Sequence, residues 1–306
     1  MPKPEAVTFK QLRALGAVAA CGSITQAAEA LGLTPPAVHT QLRLLEENFA
    51  SKLLHRSASG GAQLTRQGQT VLSAAQVIEA TLASCAGHVR ALNSGMEGLV
   101  VLGIVSTGKY FAPALVARLQ AVYPKIEVQM KVGNRDSVVA WLQNGSIDMA
   151  IMGRPPRSPA VSSLPLGPHP HVLIAPPDHP LAGPGMVPPD ALMNETFLAR
   201  EEGSGTRILM VRYLDRVGQG TTYKSVEIGT NETIKQAVIA GLGIALISRH
   251  TVTEELRAGR LVELNIEGLP IVRQWFLLHR SDVELSAASQ RVQRFIADQN
   301  GAFLPV

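Results

Sequence analysis

Apolar residues recur at alternating intervals of four and three between residues 71 and 92, and this spacing constrains the fold more than any other feature of the chain. The repeat spans three heptads within a helix that Thr65 can cap and that we predict from residue 66 to about residue 93. A narrow stripe of this kind is typical of a helix that pairs with another as a coiled coil. At 1.5 Å per residue the helix is roughly 40 Å long. We expect a dimer whose seam consists of Val71, Ala75, Ile78, Leu82, Cys85, Val89 and Leu92.

The alternative is a helix that packs on its own domain, although such a helix usually shows a wider apolar face. Cys85 lies on the seam, where we interpret it as a small apolar side chain and not as a redox switch. The chain has only two cysteines, Cys21 and Cys85, far apart in sequence. They predict neither a disulfide framework nor a cysteine metal site, which fits a reducing cytosol.

A chain of 306 residues is long enough for one small and one larger domain. We predict a first domain of residues 1–66, a linker and dimerisation helix of residues 67–93, and a second domain of residues 94–306. The first fifteen residues include four charged side chains and do not resemble a signal peptide. The longest apolar run, residues 237–247, is shorter than the roughly 20 residues that cross a bilayer. We therefore expect a cytoplasmic protein without a membrane partner.

Three helices are predicted in the first domain, at residues 9–20, 26–31 and 35 to about 48. Thr34 is a good N-cap for the third helix, and Pro35 occupies its first position, where a missing N–H has no cost. Positions 38, 42 and 45 form its buried stripe. The opposite face carries Pro36, His39, Thr40 and Arg43.

Two helices joined by a turn at Gly32, the second with short polar side chains near its start, are typical of a helix-turn-helix. His39 and Thr40 can then hydrogen-bond base edges in the major groove, and Arg43 can reach guanine or phosphate. Residues 57–62 are rich in glycine and serine, and they predict the tip of a β-hairpin wing.

The charge distribution supports a polyanionic partner. Residues 1–66 contain seven Lys and Arg against four acidic residues, while the whole chain has a net charge of only +4. A small helical bundle with a solvated third helix remains the alternative. The residues predicted to contact DNA are Thr25, Thr34, Pro35, Pro36, His39, Thr40, Arg43, Lys52, Arg56 and Arg66.

Strands and helices alternate in the second domain, which predicts a mostly parallel α/β sheet. Residues 128–152 and 226–248 repeat one pattern of strand, Gly/Asn turn, helix, glycine and strand. We infer two related lobes, lobe I at about 94–170 and 267–306 and lobe II at about 171–266. A crevice between two such lobes is a common ligand site.

Three loops with glycine or hydroxyl residues precede helices in this domain, at residues 106–109, 203–207 and 230–233. Helix N-termini offer unpaired N–H groups to anions, and arginine binds oxyanions in a bidentate manner. Plain helix capping is the alternative for each loop. We predict an anion site formed by Ser106, Thr107, Lys109, Arg135, Arg154, Arg200, Glu201, Gly203, Ser204, Thr206, Arg207, Asn231 and Thr233.

Two other kinds of site, a phosphate-binding loop and a metal site, fit the sequence less well. Residues 103–110 nearly fit a phosphate-binding loop, but Tyr110 replaces the hydroxyl residue that holds Mg²⁺, and Gly103 falls within a predicted strand. We therefore do not expect an NTPase. His169, His171 and His179 fit a strand followed by a turn better than a metal site. No Gly-x-Ser-x-Gly elbow indicates a hydrolase, and neither an enzyme activity nor a cofactor is expected.

The first domain resembles the LysR-type transcriptional regulators. The resemblance rests on Phe9, the run 22–28, Leu31, the run 36–38, Leu45, Glu46, Leu53, Arg56, Leu64, Thr65 and Gly68. It implies a winged helix-turn-helix, a long dimerisation helix and a two-lobed, periplasmic-binding-protein-like (type 2) effector domain. Pro35, His39 and Ala50 depart from the usual pattern, and the first two alter base-reading positions.

The second domain is similar to the CbbR-type subgroup, through residues 105–113, 132–135, 151–156, 200–207, 231–237 and 269–270. Residues 34–39 agree with the same subgroup. The resemblance implies control of carbon-fixation operons of the Calvin cycle by a small anionic effector: a sugar bisphosphate, another phosphorylated metabolite or NADPH. It also implies a homodimer or homotetramer on a DNA operator with two-fold symmetric half-sites, with RNA polymerase as a partner.

Two alternatives within these classes stay open from the sequence. A LysR-type regulator of nitrogen, sulfur or aromatic metabolism would carry the same domains and differ in its ligand. A solute-binding protein would share the two-lobed fold, but it would need a signal peptide.

Overall fold

The structure, a computed structural model, describes residues 3–56, 61–93 and 96–305. It divides into two compact units, Met1–Ala86 and Gly87–Val306. The boundary falls inside the long helix because the two ends of that helix belong to different cores. Val71 and Ala75 pack in the core of the first unit, whereas a Cβ atom at Gly87 would lie 2.7 Å from Leu99 of the second.

The first unit begins with three helices, α1 (Phe9–Cys21), α2 (Ile24–Leu31) and α3 (Pro35–Phe49). A capping box starts α1, in which Thr8 and Gln11 exchange two hydrogen bonds between side chain and backbone. Gly22 and Gly32 end α1 and α2 in the left-handed conformation, which a glycine adopts without strain.

The start of α3 follows the sequence prediction in position but not in every detail. Thr34 is the N-cap and Pro35 is the first helical residue, but the Thr34 side chain forms no capping hydrogen bond. Proline at the first two positions removes two N–H donors. Val38, Leu42 and Leu45 are buried as expected.

The wing is an antiparallel hairpin of β1 (Leu54–Arg56) and β2 (Ala62–Leu64), in which Leu54 pairs with Leu64. Of its predicted tip, residues 57–62, residues 57–60 lie outside the described residues. Glu46 fixes the entry to the wing because its carboxylate accepts the Leu53 N–H at 2.9 Å.

The long helix α4 is Arg66–Asn93. Thr65 caps it, because its hydroxyl accepts the Gly68 N–H at 2.9 Å. By length and composition α4 is apolar enough to cross a bilayer, with a mean hydropathy of 1.2 in its most apolar window. The longest apolar run of the sequence, residues 237–247, lies elsewhere in the chain, and so it did not point to α4. The coiled-coil spacing described above accounts for the same composition.

The second unit contains nine further strands. Seven of them form one sheet in the order β10-β6-β11-β5-β3-β4, with β9 also paired to β6, and β7 pairs with β8 in a small second sheet. The sheet is mixed and not mostly parallel, since β6 and β11 run antiparallel to their neighbours. The strands are β3 (Gly98–Val105), β4 (Ile126–Gly133), β5 (Met149–Met152), β6 (Val161–Ala175), β7 (Thr196–Ala199), β8 (Lys224–Glu227), β9 (Ala245–Ser248), β10 (Val262–Glu263) and β11 (Ile271–Arg280).

Seven helices cover these sheets, and three apolar clusters result. One surrounds Trp275 between β3, β5 and the neighbouring helices, a second surrounds Phe197, with α8 packed against it, and a third packs α9 against β6 and β9. The long strands β6 and β11 contribute to the first two, and so they join the two lobes. The helices are α5 (Ala112–Val122), α6 (Arg135–Asn144), α7 (Pro189–Met193), α8 (Gly205–Val217), α9 (Asn231–Ile239), α10 (Thr253–Arg257) and α11 (Ala287–Asp298).

Candidate nucleic-acid interface and ligand cleft

The outer face of α3 is fully available to a partner. Pro36, His39, Thr40 and Arg43 are all exposed, as are Thr25, Thr34 and Pro35. The Thr40 hydroxyl donates to the Pro36 carbonyl at 2.9 Å, so its lone pairs remain to accept hydrogen bonds. Arg43 forms an ion pair with Glu47 one turn later through one terminal nitrogen, so its other N–H groups remain to bind a partner.

The cations predicted to hold phosphates surround this face. The Lys52 ammonium lies 2.6 Å from the Glu46 carboxylate, although the Lys52 side chain is largely exposed. That ion pair, with two backbone N–H groups, outweighs partial burial and lowers the pKa of Glu46. Arg66 is exposed at the first position of α4. Arg56 ends β1, and its side chain lies outside the described residues.

The predicted seam of α4 separates into two parts. Val71 and Ala75 are buried in the core of the first unit and are not available to a second chain. The remaining positions are exposed, with Ile78 at 43%, Leu82 at 50%, Val89 at 52% and Leu92 at 61%. Cys85 is also exposed. Five seam positions therefore form an uncovered apolar stripe, which is the surface that a partner helix would bury.

A cleft of about 530 Å³ lies in the second unit, and residues of both lobes line it. Ser106 and Thr107 follow β3, Arg154 follows β5, and Ser204 and Thr206 begin α8. The described α8 forms no side-chain cap at Ser204, so its first N–H groups are left for another acceptor. The full lining is Val105, Ser106, Thr107, Arg135, Val139, Met152–Ser158, His169, His171, Ser204–Thr206, Ile208, Leu209, Arg212 and Arg273.

The charged side chains that line this cleft are all positive. Its lining contains five arginines and no carboxylate: Arg135, Arg154, Arg157, Arg212 and Arg273. Only Arg135 has a carboxylate near it in the described residues, Asp136 at 3.6 Å. Uncompensated guanidinium groups around a helix N-terminus form a site for an anion that bears several charges.

Two buried imidazoles complete the wall. His169 stacks on Trp275 with ring centroids 3.8 Å apart, and its Nε2 lies 3.0 Å from the Ser248 hydroxyl. Burial, reinforced by neighbouring His171 and His250, lowers the pKa of His169 well below its ordinary value. Burial also lowers the pKa of His171 to about 4. Both rings are therefore neutral at pH 7, and the charge of the cleft comes from its arginines.

Both domains of this chain match known protein families. Residues 9–69 match the bacterial regulatory helix-turn-helix protein of the lysR family, and residues 93–301 match the LysR substrate binding domain. This chain belongs to the LysR family of transcriptional regulators. The helix-turn-helix and the cleft thus correspond to the two parts of a LysR-family protein.

Relatives of this LysR-family regulator match along its whole length. The HTH-type transcriptional regulator CbbR of Cereibacter sphaeroides is 53% identical over 306 residues, 100% of this chain and 99% of the relative. The RuBisCO operon transcriptional regulator of Allochromatium vinosum is 39% identical over 293 residues, 96% of each chain. The solved Synechocystis CcmR regulatory domain, in complex with 2-PG, is 35% identical with a TM-score of 0.62, and the match covers 66% of this chain and 97% of that one.

The structure separates the predicted anion-site residues of this LysR-family protein into two groups. Ser106, Thr107, Arg135, Arg154, Ser204 and Thr206 line the cleft. The others do not: Lys109, Arg200, Glu201, Gly203, Arg207, Asn231 and Thr233. For this second group the role as direct ligands stays a prediction, since these residues lie outside the lining of the cleft.

Arg200 and Arg207, two residues of this second group, are held by hydrogen bonds and ion pairs. Arg200 donates to both carboxylate oxygens of Glu201 at 2.7 and 2.8 Å, to Asn231 at 2.5 Å and to Ser106 at 3.1 Å. Arg207 pairs with Glu227 and donates to the Arg200 carbonyl. Each cation is therefore largely neutralised by an adjacent acid, which the arginines of the cleft are not.

A second part of this network joins the two lobes. Glu232 accepts hydrogen bonds from Lys109 and from the Tyr110 hydroxyl, both at 2.7 Å. Partial burial opposes ionisation of Glu232, but these two donors outweigh it and hold its pKa at about 2. The hydroxyl of the cap residue Thr230 accepts the Thr233 N–H at 3.1 Å, and the two hydroxyl oxygens lie 2.9 Å apart. Lys109 thus binds a carboxylate where a nucleotide-binding lysine would need to face phosphate.

Several cleft residues were missed by sequence reasoning. Arg157, His169, His171, Arg212 and Arg273 lie in the wall, but their sequence neighbours gave no loop or helix-start signal. A pattern for Arg212 did exist, since it stands seven residues after Gly205 on the same face of α8. Among the residues that the structure describes, no three His, Cys, Asp or Glu are close enough together to hold a metal ion.

Proposed function

We propose that this LysR-family protein regulates transcription of carbon-fixation genes in response to a phosphorylated anion bound in its cleft. The arginine-only charge of the cleft lining carries the proposal. A monoanionic aromatic acid or an uncharged ligand would leave most of five guanidinium groups unpaired, whereas a phosphorylated ligand would satisfy several of them. Relatives named for CbbR and for the RuBisCO operon, and a neighbour in complex with 2-PG, support the same conclusion.

The ligand class comprises a sugar bisphosphate, another phosphorylated metabolite or NADPH, acting as an effector and not as a cofactor. The protein would be no enzyme. In support of that, Lys109 is engaged by Glu232 and Gly103 lies inside β3, so no phosphate-binding loop is assembled.

For the DNA partner, two α3 helices in a homodimer would read two symmetric half-sites. His39, Thr40 and Arg43 would contact bases, with Pro35, Pro36, Thr25 and Thr34 beside them. Lys52, Arg56 and Arg66 would contact phosphates. We also propose that the protein acts as a homotetramer. It would act in the cytoplasm, with RNA polymerase as a partner. The effector would act by binding one assembly geometry more tightly than another.

The ligand part is tested by isothermal titration calorimetry with 2-PG, ribulose bisphosphate and NADPH, against benzoate and amino acids as controls. Arg154→Ala should weaken binding of the phosphorylated ligand about tenfold, because a charge-assisted hydrogen bond is lost. Arg260→Ala removes the same charge at an exposed position outside the cleft and should leave the affinity unchanged. Binding of benzoate or an amino acid in preference to every phosphorylated ligand would assign the protein to another pathway.

The DNA part is tested by gel shift with the promoter region of a carbon-fixation operon from the same genome, against random DNA of equal length. Specific binding is expected, and it should weaken steeply with salt because lysine and arginine displace counterions from phosphate. Equal affinity for both DNAs at every salt concentration would refute control of that operon.

A further inference from the structure

The effector cleft does not end at the lining described above. A second, more open groove of about 240 Å³ adjoins it, and Leu209, Arg212 and Arg273 line both. The groove adds Tyr213, Arg216, Gly268 and Ile271. A ligand longer than the cleft could therefore extend into this groove without leaving the wall formed by α8.

The helix α8 connects the two spaces in a regular way. Residues 209, 212, 213 and 216 stand at helical intervals of three and four, so they share one face. The first turn of α8, at Ser204–Thr206, lies in the cleft, and Arg216 lies in the groove. At 1.5 Å per residue, Gly205 and Arg212 are about 10 Å apart along the axis.

The charged side chains that line the groove are all positive, as they are in the cleft. Three arginines line it without a carboxylate: Arg212, Arg216 and Arg273. In the described residues none of the three forms an ion pair, whereas Arg207, Arg249 and Arg291 all do. Burial raises the pKa of Tyr213, and the charge of Glu267, whose backbone carbonyl accepts the Tyr213 hydroxyl hydrogen, adds to this shift.

The position of Arg216 is built into the fold. Its guanidinium lies over the Tyr213 ring, 5.6 Å from the ring centre. The buried Tyr213 is itself fixed, because its hydroxyl donates to the Glu267 carbonyl at 3.1 Å. Gly268 has a φ of +77°, and a Cβ atom there would approach the Arg216 guanidinium to 3.0 Å. The tyrosine platform and the glycine therefore leave the guanidinium room at the edge of the groove.

We propose that Arg212, Arg216 and Arg273 form a second anion subsite, which binds the distal anionic group of an elongated ligand whose first anionic group lies at the N-terminus of α8. The class of ligand is a phosphorylated molecule with two anionic groups about 10 Å apart. The proposal rests on the phosphorylated-anion function proposed above and adds the residues that discriminate long from short ligands.

Arg216→Ala tests the subsite because Arg216 lines the groove and not the cleft. We expect calorimetry to show about a tenfold loss of affinity for ribulose bisphosphate, the loss of one charge-assisted contact, with no change for 2-PG or inorganic phosphate. Arg260→Ala is the matched control, since Arg260 is an exposed arginine of the same lobe outside both spaces. Arg216→Lys, which keeps the charge, should restore part of the affinity.

Three results would overturn the subsite. The first is an unchanged bisphosphate affinity in Arg216→Ala, and the second is an equal loss for bisphosphate and for inorganic phosphate. The third is a wild-type protein that binds 2-PG but binds the bisphosphate no more tightly than inorganic phosphate. A wild-type protein that binds none of these ligands would instead overturn the proposed effector class together with the subsite.

Discussion

Buried histidines make the free energy of unfolding of this protein depend on pH. Burial lowers the pKa of His171 to about 4, and burial, assisted by Arg249, lowers that of His250 to about 4. His250 also accepts the Trp275 indole N–H at 3.1 Å, which requires an unprotonated nitrogen. The ordinary histidine value near 6.5 applies to the unfolded chain. Between about pH 6.5 and 4 the unfolded state therefore binds protons that the native state does not.

From this difference we expect the free energy of unfolding to fall as the pH is lowered from about 6.5 to about 4, by up to roughly 1.4 kcal/mol per pH unit for each histidine. Urea unfolding at pH 7.5, 6 and 5 measures the change. His250→Asn keeps an acceptor for Trp275 and should reduce the slope. A free energy of unfolding that is constant between pH 7 and 5 would show that these rings protonate in the native state.

Arg43 is the side chain of α3 on which we expect sequence-specific binding to depend most. Arg43→Ala should weaken operator binding by about 1–3 kcal/mol, the typical value of one arginine–guanine contact, and should relax the preference at one base pair. Fluorescence anisotropy with operator DNA and with single-base variants measures both effects.

The companion variant Glu47→Gln removes the carboxylate that now pairs with Arg43. Operator affinity should stay the same or increase, since a carboxylate no longer occupies one nitrogen of the guanidinium. Unchanged affinity in Arg43→Ala would remove Arg43 from the base-reading residues.

The helix α4 shows how one element serves two purposes. Its first seam residues stabilise the winged-helix core, and its later seam residues have no cover within the described chain. The sequence spacing alone treated all seven positions alike, because periodicity reports which side chains share a face but not what covers that face.

A charge on the uncovered part of the stripe should separate the protomers. Ile78→Asp places a carboxylate that would be buried on pairing, at a cost of several kcal/mol, and sedimentation should show a shift towards monomer. Ala83→Asp introduces the same charge at an exposed position off the stripe and should leave the assembly intact. Identical sedimentation of Ile78→Asp and wild type would contradict the coiled-coil interpretation.

The strands β6 and β11 are the elements that sequence reasoning represented least well. The sequence suggested a mostly parallel sheet in two separate lobes, but β6 runs from Val161 to Ala175 and pairs with three strands. Three prolines and a glycine interrupt its sequence pattern around residues 165–170. Since proline and glycine usually end strands, local propensity concealed an element that pairing with β11 stabilises.

The whole molecule combines a basic first domain with a second domain whose cleft is lined by arginines and no carboxylate. Ligand binding can change DNA binding only if the assembly has two geometries with different ligand affinities. A saturating phosphorylated ligand should therefore change the energy transfer between dyes at the two ends of operator DNA bound to the wild-type protein.

Arg154→Ala, which removes a cleft cation, should bind the operator normally without showing this change at the same ligand concentration. Arg260→Ala should behave as wild type. If the ligand binds in calorimetry but the DNA geometry and the footprint stay constant, the cleft does not control the DNA complex.

Local patterns were sufficient for the elements that form from neighbouring residues: the helix α3, the capped helix α4, the wing, and the alternating strands and helices of the second unit. Helical periodicity, capping and turn chemistry act over a few residues and are therefore visible in sequence. The internal repeat and the family resemblance both indicated the two-lobed fold. Which cations remain unpaired depended on tertiary structure, because Arg200 and Arg207 meet acids close in space while Arg154 and Arg273 meet none. Electrostatic pairing depends on distance in space, so only the folded chain decides which arginines are left to bind an anion.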